Sequence, residues 1–217
     1  MGCHCCNPAR RRWLGGLLAA AVLPAPKVWA MAPAGSEGVV HRAKGVVRVN
    51  GTAVGEGAKV RAGDTVATEA EAEAVFSLGD DGFLLRSQGA VSVLDRGTDT
   101  ATGKPVREVN LEEGRVLSVF GPKQITLKTP FANVGIRGTA AYLECGRDSM
   151  NICVCYGRAV MIPTDAPQRA EEVVTRHHDA PRLIRPGVME PYMVKNHADD
   201  ELVMLEALFG RVPPFLR

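Results

Sequence analysis

The hydrophobic and polar positions between residues 37 and 162 alternate in short segments, separated by glycine and aspartate. The segment AEAVFSLGDDGFLLRSQGAVSVL shows this best, with alternation on both sides of Asp80-Asp81-Gly82. Alternation with period two predicts strands, and Asn50-Gly51, Gly63-Asp64 and Asp80-Asp81-Gly82 predict tight turns between them. No helical period is sustained in this region. We therefore predict an all-β domain over residues 37–162, built from short antiparallel strands.

The composition changes after this domain, because residues 163–217 are rich in proline and charge. We interpret their first part as a linker and predict one short C-terminal α-helix over about residues 198–209, with Asn196 as its N-cap. Acidic residues in the first turn favour the positive end of the helix dipole. The helix carries an apolar stripe of Leu202, Leu205, Leu208 and Phe209. It either packs on the β domain or docks an envelope protein partner.

Residues 1–30 have the features of an export signal rather than of a folded domain. Arg10-Arg11, followed by Trp13 and Leu14, matches the twin-arginine pattern, and a short apolar run precedes a cleavage site after Ala30. The run is shorter than the roughly 20 residues that span a bilayer. We expect a periplasmic protein with no stable membrane span after cleavage. An ordinary secretory signal with a basic start is the alternative.

Removal of this signal changes the charge and the cysteine count. The signal holds four basic residues and no acidic ones, so the formal net charge falls from +2 to −2. A nucleic-acid partner, which would need a basic surface, is therefore not expected. The signal also carries Cys3, Cys5 and Cys6, which leaves an odd number of cysteines in an oxidising compartment.

The remaining thiols are Cys145, Cys153 and Cys155, in the segment LECGRDSMNICVCYG. If GRDSMN is a hairpin loop centred on Ser149, Cys145 lies opposite Cys153. Strand alternation then places all three sulfurs on one surface. Opposed cysteines can also form a disulfide, so a structural Cys145–Cys153 bridge that leaves Cys155 free is the alternative.

Histidines that could complete a metal site follow in the chain, at His177, His178 and His197. Three thiolates and one imidazole suit zinc or iron in a four-coordinate site, and Fe–S clusters also use closely spaced thiolates. The twin-arginine route exports proteins that are already folded, often with a cofactor inserted. The signal and the thiols therefore support the same hypothesis of a metal or Fe–S site.

Several motifs resemble the FecR-type periplasmic domain family. They are a Gly-Asp-x-hydrophobic-x-Thr step at residues 63–68, the Thr-Pro-x-Ala…Arg-Gly-Thr block at 129–139, and a final strand pair ending in Tyr156-Gly157. The resemblance covers roughly residues 38–162 and implies a β-roll or sandwich. The sensors of that family carry a cytoplasmic anti-sigma segment and a membrane helix before this domain. The short region before the apolar run here predicts a stand-alone secreted version.

No catalytic triad order, phosphate loop or nucleotide fingerprint occurs in the chain, so we expect no enzyme. A redox enzyme working through Cys155 would need that thiol exposed and its pKa lowered. We expect a metal- or Fe–S-binding protein for electron transfer or metal sensing. The alternative is a non-catalytic scaffold that holds a structural disulfide and binds a partner.

Overall fold

The computed structural model describes residues 36–217, so the predicted signal at residues 1–30 lies outside the described residues. Within residues 36–217 the chain forms sixteen strands, one α-helix and two short 3₁₀ helices at Pro167–Arg169 and Pro214–Leu216. The strands and the helix are β1 (Glu37–Lys44), β2 (Val47–Val49), β3 (Thr52–Val54), β4 (Lys59–Arg61), β5 (Thr65–Thr68), β6 (Glu73–Leu78), β7 (Asp81–Leu85), β8 (Ala90–Thr98), β9 (Pro105–Leu111), β10 (Gly114–Val119), β11 (Gln124–Lys128), β12 (Ala132–Cys145), β13 (Met150–Pro163), β14 (Glu171–Thr175), β15 (Arg182–Arg185), β16 (Val188–Pro191) and α1 (Asp199–Ala207). The predicted all-β class with one short C-terminal helix is confirmed.

The long hairpin of β12 and β13 connects the two halves of the sheet. One edge of β12 pairs with β13 along its length. Its other edge pairs first with β11 and then with β10. The strand order is β3-β2-β5-β8-β9-β11-β12-β10-β7-β6-β1-β4. The strands pair antiparallel except for β9 and β11, which run parallel and so depart from the purely antiparallel prediction.

Two of the three predicted turns form where the sequence places them. Asn50 and Gly51 have φ values of 50° and 80° and join β2 to β3, as a primed hairpin turn requires. Gly63-Asp64 separates β4 from β5. The third turn lies at Gly79-Asp80, one residue earlier than predicted, because Asp81 is already paired with Leu78 as the first residue of β7.

A β-bulge in the long hairpin decides which side chains face each side of the sheet. The register shifts between Arg137 and Ala140, at Gly138, whose φ is 59°. Before the shift, even-numbered residues of β12 point into the main core, and after it the odd-numbered residues do. Gly157 lies opposite the bulge with φ of 98°, and a Cβ there would meet the Thr139 Cβ at 2.7 Å. The bulge therefore needs glycine, and it reverses which residues of β12 and β13 face the main core and which face the opposite side of the sheet.

That second face is covered by the C-terminal segment. Helix α1 buries Leu202 and Leu205 completely, against a smaller apolar cluster that includes Leu84, Leu117 and Tyr142. The apolar stripe predicted on this helix therefore packs against the sheet of the same chain. No helix among residues 36–217 is long and apolar enough to cross a membrane.

Two details of the C-terminal segment differ from the predictions. The region interpreted as a linker holds β14, β15 and β16, and both β14 and β15 pair with β13, so it extends the sheet. The helix N-cap is Ala198, whose N–H donates to the Glu201 carboxylate at 3.1 Å. Asn196 instead donates its side-chain amide to Glu144 at 2.8 Å.

A buried ion-pair network at one end of the sheet was not predicted. The Arg107 side chain is 2% exposed and pairs with Asp81, which is 0% exposed. Its other N–H groups donate to Asp95 at 2.7 and 2.9 Å, to the Leu78 carbonyl at 2.7 Å and to the Ser36 hydroxyl at 2.6 Å. Every guanidinium N–H is satisfied, which a charge removed from water requires.

Candidate metal centre

The register of the β12–β13 hairpin separates the three thiols that were predicted to share a face. Cys145 pairs with Met150, and Tyr142, not Cys145, lies opposite Cys153. Cys145 belongs to the main core, whereas Cys153 and Cys155 belong to the cluster on the other face. The predicted register is therefore wrong, and with it both the three-thiol surface and the Cys145–Cys153 disulfide. The three cysteines of residues 36–217 are free.

Cys145 has the environment of a structural core thiol. Its Sγ donates to the Glu112 carbonyl oxygen at 3.0 Å. Burial raises the pKa of its thiol to about 11, and the nearby Glu113 carboxylate adds to the effect. A neutral, hydrogen-bonded thiol of this kind is a poor metal ligand, since metals bind the thiolate.

The other two thiols meet two of the predicted histidines. One donor atom each from Cys153, Cys155, His178 and His197 lies within 4.8 Å of all the others. The shortest separations are 3.3 Å from the Cys153 Sγ to the His178 Nδ1, and 3.1 Å from that Nδ1 to the His197 Nε2. In a tetrahedral site with Zn–S near 2.3 Å and Zn–N near 2.0–2.1 Å, ligand atoms lie about 3.3–3.8 Å apart. The two shortest separations are close to that spacing, and none of the others exceeds 4.8 Å.

Local structure holds the loop that supplies His178 against β13. The Asp179 carboxylate accepts the N–H of Arg176 at 2.9 Å, which closes a tight turn. His178 has a φ of 55° within that turn, and its N–H donates to the Cys155 carbonyl oxygen at 2.9 Å. The His178 side chain is thereby directed towards the thiols of the neighbouring strand.

The outer hydrogen bonds of the two imidazoles determine which nitrogen atoms face the site. The His197 Nδ1 lies 2.8 Å from the Lys195 carbonyl oxygen, which can only accept, so Nδ1 carries the hydrogen. The His178 Nε2 lies 3.1 Å from the Asp199 carboxylate and donates to it for the same reason. The inward atoms, His178 Nδ1 and His197 Nε2, are left with lone pairs that face each other. A proton or a metal cation has to lie between them.

The thiols of Cys153 and Cys155 and the His178 imidazole also shift one another's pKa values. Hydrogen bonds from the Cys155 thiol and then from His178 and His197 lower the pKa of Cys153, although burial opposes this. Burial and the hydrogen bond to Cys153 raise the pKa of Cys155. Burial lowers the pKa of His178, but its contacts with Cys153 and Asp199 outweigh this and raise it. These opposite shifts favour the thiolate form of Cys153 and the protonated form of His178 when no metal is bound.

Asp199, the first residue of α1, supports the site from outside and was not predicted as part of it. Its carboxylate accepts from the His177 Nε2 at 2.9 Å as well as from His178, and these bonds lower its pKa. His177 lies outside the four-donor group and stacks on Phe215 with ring centroids 4.3 Å apart. The acidic first turn of α1 contains Asp199, but a favourable interaction with the helix dipole is enough to account for acidic residues at that position.

Aromatic stacking holds the His197 ring in place. Tyr142 stacks on His197 with centroids 4.5 Å apart and planes 13° apart, so the imidazole is held flat against β12. The side chains of Cys153 and Cys155 are both 0% exposed. Cys155 therefore has neither the exposure nor the lowered pKa that a redox enzyme acting through it would require.

Comparisons with known proteins identify no family. No family model matches the chain, and no curated protein matches it. Two crystal structures of a protein described as a "putative anti-sigma factor" from Parabacteroides distasonis ATCC 8503 are similar, with a TM-score of 0.47 and 14% sequence identity. The match covers 65% of this chain and 64% of that protein, so the chain spans less than two thirds of its length. A likeness at this level identifies neither a family nor a function.

Proposed function

We propose that this chain binds one four-coordinate metal ion through Cys153, Cys155, His178 and His197. The observation that carries the proposal is the pair of inward imidazole nitrogens 3.1 Å apart, each bare because its other nitrogen donates to a fixed acceptor. In protein metal sites a ligating histidine usually donates its other N–H to a carboxylate or a carbonyl oxygen. Two thiolates and two imidazoles suit a borderline divalent ion, and zinc fits the set best.

The same geometry favours a single ion over an Fe–S cluster. A [2Fe–2S] cluster with two cysteine and two histidine ligands places the thiolates on one iron and the imidazoles on the other. Its two pairs of ligands are separated by both irons and by the bridging sulfides. Here a thiol and an imidazole lie 3.3 Å apart, and all four donors fit within 4.8 Å. That space accommodates one ion.

The role we propose for the ion is metal-dependent docking of the C-terminal segment. The four ligands come from β13, from the loop before β15 and from the residue preceding the N-cap of α1. An ion at this position ties the helix to the sheet face that Leu202 and Leu205 cover. Loss of the ion weakens that attachment and makes the apolar face available to an envelope partner. The protein would then act as a metal sensor.

The cellular setting rests on the sequence. The twin-arginine pattern and the FecR-type motifs support an exported periplasmic protein, and the twin-arginine route suits a protein that acquires its metal before export. The alternative is a scaffold whose C-terminal segment is docked permanently, without a metal. That scaffold would keep its helix in place when chelators are present.

Titration of the metal-free protein with Co²⁺ and Zn²⁺ tests the proposal directly. We expect one equivalent of Co²⁺ to give thiolate-to-cobalt absorption bands, which Zn²⁺ then abolishes by displacement. Cys153→Ser should remove the bands, and the matched control Cys145→Ser should keep them. A wild-type protein without thiolate bands, or equal behaviour of the two variants, would overturn the assignment.

A further inference from the structure

A second site lies on the same face of the sheet, where a pocket of about 290 Å³ opens beside β10, β12 and β13. None of the four candidate metal ligands lines it. Its lining residues are mostly polar and include Glu113, Arg115, Glu144, Asn151 and Lys195. The pocket is therefore distinct from the metal centre, although both lie on the face that the C-terminal segment crosses.

Asn151 is the residue of this pocket that the fold itself does not explain. It is 3% exposed, and neither its amide nitrogen nor its amide oxygen has a hydrogen-bond partner among the described residues. Buried amides are almost always paired, because an unpaired one loses its bonds to water without compensation. A leucine would fill such a position at lower cost. The amide is therefore suited to a ligand that both donates and accepts hydrogen bonds.

The charged residues that line the pocket place a second requirement on its ligand. Lys195 is paired with Glu144 at 3.2 Å, and Glu144 also accepts from Asn196 at 2.8 Å and from the Tyr142 hydroxyl at 3.0 Å, so its carboxylate is already satisfied. Arg115 forms no ion pair within residues 36–217. Glu113 forms no ion pair within those residues either. One unmatched cation and one unmatched anion thus border the same pocket.

From these features we infer that the pocket binds a small zwitterion, a free α-amino acid with a polar side chain. The Arg115 guanidinium matches the carboxylate in a forked geometry, Glu113 matches the ammonium group, and Asn151 pairs with the polar side chain. The volume is near the lower limit of ligand pockets, which suits a small solute. The Lys195 side chain, about one-third exposed and paired with Glu144, lines the same pocket.

Isothermal titration with L-glutamine, L-asparagine and L-serine tests this inference, with propionate and acetamide as probes that carry only one of the required groups. We expect one-to-one binding of at least one amino acid, and at least tenfold weaker binding of both comparison probes. Arg115→Gln and Asn151→Leu should each weaken binding tenfold or more, since each removes hydrogen bonds to the ligand. The matched control Arg147→Gln, in the exposed hairpin loop, should leave binding unchanged.

The thermal stability of the ligand-free variants separates a binding role from a structural one. Asn151→Leu should unfold at an equal or higher temperature than the wild type, because it removes an unpaired buried amide. A lower unfolding temperature, no binding of the three amino acids, or binding that both variants retain would overturn the inference. Binding should persist after metal removal by a chelator, so the result is independent of the proposed metal site.

Discussion

Replacing Asp199 by alanine should weaken metal binding, although Asp199 is not one of the proposed ligands. Its carboxylate accepts the Nε2–H of His178 at 3.1 Å and so keeps the Nδ1 lone pair of that ring directed at the ion. It accepts from His177 as well. Without it, His178 is free to move its hydrogen to Nδ1, where it blocks the ligand position. Loss of such a hydrogen-bond partner behind a ligating histidine typically costs about 10–100-fold in metal affinity, or about 1.4–2.8 kcal/mol.

The measurement is the dissociation constant for Zn²⁺, obtained by competition with a chromophoric chelator at fixed pH. Asp200→Ala is the matched control, because Asp200 lies in the same first turn of α1 and contacts no histidine in the described structure. Both variants lose a favourable helix-dipole interaction of similar size. Asp199→Asn, which keeps a neutral acceptor, should fall between the wild type and Asp199→Ala. Equal affinities for the Asp199→Ala and Asp200→Ala variants would refute the role of Asp199 in orienting His178.

Three further predictions concern stability. Arg107→Met should destabilise the protein by up to about 3–5 kcal/mol in denaturant unfolding, because it breaks the buried ion pair with Asp81 and leaves Lys123 as the one remaining cation of residues 36–217 beside that carboxylate. The exposed Arg158→Met, its control, should cost about 0–1 kcal/mol, and similar values for the two variants would contradict the network's role. Leu205→Ala should cost about 2–5 kcal/mol by the same assay, and a cost below about 1 kcal/mol would mean that α1 is not packed as described. Arg96 and, less strongly, Lys128 lower the pKa of Glu108 from 4.5 to about 2, so on acidification the unfolded chain takes up this proton at a higher pH than the folded protein does. About 1–3 kcal/mol of stability is therefore present above pH 4.5 and lost as the pH falls towards 2. Glu108→Gln should reduce this loss of stability in acid.

Local features of the fold could be predicted from the sequence, because they depend on neighbouring residues. Asn50-Gly51 adopts positive φ at both positions, which few other pairs do at low cost. The C-terminal helix follows from its apolar spacing and its acidic first turn. The three strands β14 to β16 were missed because proline and charge are also typical of linkers. Their pairing with β13 depends on a partner strand that the local sequence does not specify.

The candidate site was predicted only in part, because it depends on register. Cys153 and Cys155 share a face in any register, and this was confirmed. The position of Cys145 relative to them depends on whether the hairpin loop has an odd or an even length, and a change of one residue reverses its face. Asp199 reaches its histidines through tertiary contacts across more than twenty positions in the chain. No spacing rule within the helix could have shown that contact.

The most direct test of the central claim is the metal content of the mature protein, exported from its natural host and purified without metal-affinity chromatography. Elemental analysis should find one metal ion per chain in the wild type and in Cys145→Ser, and none in Cys153→Ser. A wild-type protein that carries no metal would contradict the account, as would one whose metal survives replacement of Cys153.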